Sequence, residues 1–239
     1  MNRNTLIAYS LKHQGEYFKM LQDIRNLTPI EDVYLPGCLT ILDDDYPKEL
    51  FHLHYPPLVL YYVGNLSLLK KSKISIVGSR KPCDYAIAAT RNLARRYQDE
   101  VIVSGLAKGI DAIAHLNSQK TIGILGCGIR RYYPYANKEL IDEVKKKGLL
   151  LSEYPGMALP LSFHFPFRNR IIAALAERIY VMQASVKSGT MTTVKEALEL
   201  GKDIRVLPFQ LDDQRGEGNT ILLSEGAMVI DRDEIAFLN

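Results

Sequence analysis

From residue 74 onward, apolar residues fall in short unbroken runs separated by stretches of helical spacing. The runs are ISIVG (74–78), VIVSG (101–105), TIGILG (121–126), LLLSE (149–153), IYVMQA (179–184), IRVLP (204–208) and AMVI (227–230). Each is of strand length and rich in branched residues. Between them, Ala86, Ala89, Leu93, Ala94 and Tyr97 recur at three-and-four spacing, as do Ile110, Ile113 and Ala114. Another helical segment stops at Gly201, where the left-handed conformation that ends a helix is open to glycine. Unbroken apolar strands alternating with amphipathic helices predict an α/β fold, with about seven strands in a mainly parallel, doubly wound sheet.

The first 45 residues differ. Two short helical patterns lie near Thr5–His13 and Glu16–Leu27, the second with Tyr17, Met20, Leu21 and Ile24 on one face. The breaker Leu35-Pro36-Gly37 follows. The expectation is a small helical N-terminal appendage over 1–45 and one larger domain over 46–239, entered through the Pro- and aromatic-rich segment 46–65.

Charge changes this picture little. Thirty Lys and Arg against 27 Asp and Glu leave a formal charge of +3, so a nucleic-acid site would have to be local. Cys38, Cys83 and Cys127 are isolated and odd in number, which suits a reducing compartment. The N-terminus lacks the apolar run of a signal peptide, and no stretch approaches the roughly 18 apolar residues of a membrane span. A cytoplasmic protein without membrane contact is expected.

Candidate chemistry collects where strands end. The ends read Gly78-Ser79-Arg80, Ser104-Gly105, Gly126-Cys127-Gly128, Ser152-Glu153 and, after a short loop, Ser188-Gly189-Thr190. In an open parallel sheet these ends share one edge, and ligands bind there near the point where strand order reverses. Small residues let backbone amides approach an anion, and the following helix starts add partial positive charge. A row of phosphate seats results, although a single glycine of this kind equally serves a tight turn. The dinucleotide fingerprint lacks its third glycine, because Ile129, Arg130 and Arg131 follow Gly128, and no GxxxxGK[ST] occurs anywhere in the sequence.

A second concentration is LSFHFPFRNRII (161–172). Its rings offer faces on which bases stack, and its guanidinium groups can grip phosphates, a combination that suits single strands. The alternative is that the Phe residues pack the core and the Arg residues make ion pairs. His52 and His54 lack further metal ligands at suitable spacing, and His115 sits mid-helix as a packed residue. Ser104 has no GxSxG context. Arg130-Arg131 and Lys145-Lys146-Lys147 read as solvated faces.

Six motifs in order, over about residues 45–232, resemble the DNA-processing protein A (DprA/Smf) family. They are Ile76-Val77-Gly78-Ser79-Arg80, Val103-Ser104-Gly105-Leu106-Ala107-Lys108-Gly109-Ile110-Asp111 with Ala114-His115, and Leu125-Gly126-Cys127-Gly128 with Tyr133-Pro134. Leu151-Ser152-Glu153-Tyr154-Pro155, Phe165-Pro166-Phe167-Arg168-Asn169-Arg170-Ile171-Ile172 and Ser188-Gly189-Thr190 complete the six, and Glu225-Gly226-Ala227 near the end extends the match beyond them. The resemblance implies an extended Rossmann-like domain that binds single-stranded DNA without nucleotide, cofactor, metal or catalytic residues. It implies a recombination mediator, typically a homodimer, that protects single strands and helps load the RecA recombinase, notably in natural transformation. By the same resemblance Arg80 is the main phosphate clamp, with Gly78, Ser79, Ser104, Gly105, Lys108, Gly126 and Gly128 along the same edge. Phe165 is the stacking ring, with Phe167, Arg168, Asn169 and Arg170 beside it, and Ser188, Gly189 and Thr190 are donors at a helix start. Asp111 fixes its own loop rather than meeting an anion.

The chain departs from the pattern in four places. Ser162 stands where members often have Lys, and Tyr135 where the residue after Tyr-Pro is often basic. Each lost cation weakens binding and flattens its salt dependence, though Tyr135 offers a ring for stacking. Pro208-Phe209 replaces a usual Pro-Gly, and the sequence stops at Asn239, short of the winged-helix-like module of many members. Two other readings stay open. One is a nucleotide-handling enzyme resembling the nucleoside-monophosphate phosphoribohydrolases. Against it, Ser188-Gly189-Thr190-Met191-Thr192-Thr193 lacks the PGG of their motif and has Thr193 where the acid–base Glu would fall, with Glu196 a turn further on. The other is an interaction protein with reduced DNA affinity.

Overall fold

The computed structural model describes residues 1–236. Two helices come first, α1 (Arg3–Lys12) and α2 (Tyr17–Arg25), then the strands β1 (Cys38–Thr40) and β2 (Val59–Gly64). Strand and helix alternate thereafter: β3 (Lys73–Gly78), α3 (Asp84–Arg96), β4 (Val101–Ser104), α4 (Ile110–Leu116), β5 (Thr121–Leu125) and α5 (Lys138–Lys147). The series continues with β6 (Leu149–Ser152), α6 (His164–Leu175), β7 (Arg178–Gln183), α7 (Gly189–Glu199), β8 (Asp203–Val206), α8 (Glu217–Ser224), β9 (Met228–Val229) and α9 (Arg232–Ile235). All the strands join one nine-stranded sheet, in the order β1-β2-β6-β5-β4-β3-β7-β8-β9.

The seven runs anticipated from the sequence are β3 to β9, and their pairings are parallel throughout. The antiparallel pair β1–β2 extends the sheet past β6. Both lie in segments that the hydrophobic pattern left unassigned, because β1 is only three residues long and β2 sits among prolines and aromatics. The line drawn at residue 45 runs between these two paired strands, and Leu6, Ile7, Tyr9 and Met20 of the first two helices pack in one core with Leu125 of β5, Cys127 just after it, Leu140 of α5 and Leu150 of β6. Residues 1–45 therefore share the core of the domain they precede. The last positions assigned to that domain, 237–239, lie outside the described residues.

Strand order reverses between β3 and β7. After β6 the chain crosses the sheet through α6, which buries nine of its twelve residues, from His164 and Arg168 through Leu175. That helix seals one face of the sheet with α7. On the other face α3 and α4 cover β3, β4 and β7, while α1 and α5 cover β2, β5 and β6. At the reversal β3 and β7 pair in register as far as Val77–Val181, then slip, so that Gly78 meets Gln183. The slip falls where the two strands end and their loops diverge, and it opens a cleft at the carboxyl edge.

Candidate functional site

The cleft encloses about 720 Å³ above the ends of β3, β4 and β7. Its walls come from the β3–α3 turn (Val77 to Arg80), the loop before α4 (Ala107) and the first turn of α4 (Asp111), Tyr133, the start of α6 with Pro160 and Ser162, the end of β7 and the start of α7, and Arg215.

The β3–α3 turn sits low on the sheet because Gly78 has no side chain: a Cβ there would stand 2.7 Å from Ile110. The Ser79 carbonyl accepts from the Ile110 amide (3.1 Å) and its Oγ accepts from the Lys81 amide (3.1 Å), which fixes the turn. Arg80 then projects from it, exposed, and among the described residues its side chain makes no hydrogen bond or ion pair. The cleft's other outer arginine, Arg215, is held at 2.7 Å by Asp213.

The loop after β4 is organised by Asp111, whose Oδ2 accepts from the amides of Gly105 (3.1 Å) and Ala107 (3.3 Å), the role expected for it. Beneath this loop runs Arg168 of α6. Its guanidinium donates to the carbonyls of Gly105 (2.8 Å) and Ile124, and its Nε to Asn169 Oδ1 (3.1 Å). Burial lowers its affinity for a proton to about 10, with the Asp111 charge acting the other way, so it remains a cation at neutral pH. Asn169 spends its amide nitrogen on the Gly189 carbonyl (3.1 Å) and so ties α6 to the first turn of α7.

At that turn Ser188, Gly189 and Thr190 line the cleft. Ser188 is the N-cap of α7 but makes no side-chain cap bond, and among the described residues its Oγ has no partner. Opposite, the ring of Phe165 lies on Gly126, where a Cβ would come within 2.8 Å of it, and tilts against Tyr133 at 5.2 Å between centroids.

The expected site residues thus divide. Gly78, Ser79, Arg80, Phe165, Arg168, Asn169, Ser188, Gly189 and Thr190 line one cleft. Ser104 does not: it is fully buried and its hydroxyl donates to the Ile76 carbonyl at 2.7 Å, so it staples β4 to β3. Gly105 and Gly126 stand behind the wall, leaving room for Arg168 and Phe165, and Gly128 is buried under residues 156–158. Lys108 is exposed at the loop tip, outside the cleft lining.

Phe167 and Arg170 face away from the cleft. Phe167 packs among Tyr17, Phe18 and Tyr55 of the N-terminal part of the chain. Arg170, over the Phe167 ring at 3.7 Å, forms a buried two-pronged pair with Glu153 (2.6 and 2.7 Å) and donates to the Tyr55 carbonyl. Of the two readings of segment 161–172, the core-and-ion-pair one describes these two residues. Phe165 and Phe167, two apart on a helix, point to different sides, about 200° apart.

Gln183 was missed by sequence reasoning. It is buried at the end of β7, lines the cleft, and accepts from the Cys83 amide at 2.9 Å, pinning the start of α3. Its signal was only that it closes an apolar strand with a polar residue.

A family model described as DNA recombination-mediator protein A matches residues 37–237. DNA processing protein DprA of Streptococcus pneumoniae is 42% identical over 196 residues, 80% of this chain and 70% of that protein. Protein Smf of Escherichia coli is 33% identical over 198 residues, 79% of this chain and 52% of that protein. The chain therefore spans little more than half the length of some of the curated relatives it matches. The solved S. pneumoniae DprA structure superposes with a TM-score of 0.80 at 33% identity, covering 97% of this chain and 92% of that one. A Helicobacter pylori DNA processing protein A structure, solved for that protein's single-stranded DNA binding mode, gives 0.76 at 37% identity over 81% and 90% of the two chains.

Proposed function

This chain belongs to the DNA recombination-mediator protein A family, and from that premise we propose that its cleft holds single-stranded DNA by the phosphates. The observation that carries the reading is the pairing of Arg80, a cation with no partner among the described residues, with the open start of α7 across the same cleft. Arg80 supplies a forked cation, and Gly189 and Thr190 supply amides at the positive end of a helix dipole. Position 189 has open space where a side chain would be, which leaves the amide approachable. Phosphates lie in the cleft and bases turn toward Phe165 and Tyr133, so binding is tolerant of sequence.

The same reading extends to a recombination mediator that protects single strands, helps load the RecA recombinase and works as a cytoplasmic homodimer, as in natural transformation. Among the described residues no helix is long and apolar enough to cross a membrane. A nucleotide-cleaving enzyme is not favoured. The one carboxylate among the described residues that line the cleft is Asp111, already engaged by two amides, and buried Thr193 occupies the place of a general acid.

The test is a titration of a fluorescent single-stranded oligonucleotide, with the matching duplex as control, at two salt concentrations. The expected result is tighter, salt-sensitive binding of the single strand. In Arg80→Ala the affinity falls and the logarithmic salt slope shrinks by about 0.7, one phosphate contact. An unchanged affinity in Arg80→Ala overturns the assigned cleft.

A further inference from the structure

Beyond the rim of the cleft the sheet edge carries an aromatic surface that the phosphate seats do not use. Tyr133 lines the cleft, is 41% exposed and leans on Phe165. Two residues on, at most about 7 Å along the chain, Tyr135 is 73% exposed. Among the described residues Tyr135 makes no ring contact and no side-chain hydrogen bond. An aromatic ring of this size left open to water forgoes a large share of its apolar burial.

The backbone beneath it is fixed. Tyr135 opens a short 3-10 turn (Tyr135–Asn137), and Asn137 donates through Nδ2 to the carbonyls of Leu106 (2.9 Å) and Ala107 (3.1 Å). Ala107 is itself a cleft residue, so Tyr135 is held between two parts of the cleft wall, Tyr133 on one side and the Ala107 loop on the other. That loop carries exposed Lys108. The nearby cations of α5 are not free for phosphate: Lys138 and Lys145 both reach Asp142, at 2.8 and 3.3 Å.

We infer that Tyr135 is a second base-stacking platform, taking a nucleobase of the strand where it leaves the cleft past Phe165 and Tyr133, with Lys108 beside its phosphate. The inference rests on the cleft reading above. The Tyr135 contact itself is aromatic rather than ionic, so its own energy is insensitive to salt.

The experiment compares wild type, Tyr135→Ala, Tyr135→Phe and Arg80→Ala in titrations against oligothymidylates of increasing length at two salt concentrations. Exposure of Tyr135 makes all its variants compatible with the fold. Tyr135→Ala is expected to weaken binding of the longer oligonucleotides about tenfold, with the salt slope unchanged, while Tyr135→Phe keeps wild-type affinity. A 5-iododeoxyuridine placed at the exit end should photocross-link to Tyr135 in the wild type. If Arg80→Ala weakens binding and Tyr135→Ala does not, the platform is wrong and the cleft stands. If Tyr135→Phe is as weak as Tyr135→Ala, the hydroxyl rather than the ring is the contact and stacking is wrong. If the wild type binds no single strand, both readings fall.

Discussion

The guanidinium of Arg168 lies against Gly105. Its Nη1 donates to the Gly105 carbonyl at 2.8 Å, and a Cβ at position 105 would stand 2.6 Å from its Nη2. Because the same group also donates to Ile124 and to Asn169, it joins the ends of β4 and β5 to the helix that crosses the sheet. The glycine is what lets a long cation run beneath the loop.

Gly105→Ala should therefore act on Arg168. The guanidinium is the far end of a flexible side chain, yet three acceptors hold it in place, so the added methyl cannot be met by a free swing. The expected cost is about 1–3 kcal/mol, in the range of overpacked cores, with weaker single-strand binding as the cleft floor shifts. Urea unfolding and the oligonucleotide titration measure the two effects. A midpoint equal to wild type would mean that Arg168 relocates without loss.

Glu153 and Arg170 are almost wholly buried, and the pair closes with two short hydrogen bonds. Removing one partner strands the other charge away from water. Glu153→Ala should cost about 3–5 kcal/mol, read as a fall in the urea midpoint. A loss near zero would show that water reaches the pair. For Arg170→Ala, a fall in DNA affinity at unchanged stability would return this arginine to the binding surface, from which its position in the fold removes it.

What could be read in the sequence was the periodic part. Runs such as ISIVG and TIGILG are unbroken because β3 and β5 are covered on both faces, and the small residues closing them mark the carboxyl edge. The short edge strands carry no such signature: β1 has three residues, too few for a period to repeat. Within 161–172, composition located the helix at the cleft but could not separate Phe165 from Phe167, or Arg168 from Arg170. That separation depends on Glu153 and Tyr55, which approach only once the sheet has formed. Ser104 misled for a related reason: a serine at a strand end serves a neighbouring carbonyl as readily as a ligand, and only the Ile76 contact decides.

His115 gives the fold a pH dependence of known sign. It is buried on α4, its Nδ1 pairs with the Thr121 hydroxyl, and among the described residues its Nε2 has no partner. Burial lowers the imidazole to about 3, since the charged ring would be stripped of water. In the unfolded chain it takes up its proton near pH 6.5. Between those values the unfolded state binds the extra proton, so stability is lost as pH falls below about 6.5, by up to about 1.4 kcal/mol per unit. His115→Gln removes the titration while retaining a polar side chain for Thr121. Urea midpoints of the two proteins at pH 7 and pH 5 should diverge, with the wild type losing about 2 kcal/mol more than the variant over that interval. Using the difference cancels the carboxylates common to both. Parallel losses would mean that the folded protein already accommodates a charged imidazole at position 115, and hence that water enters the space between α4 and β5.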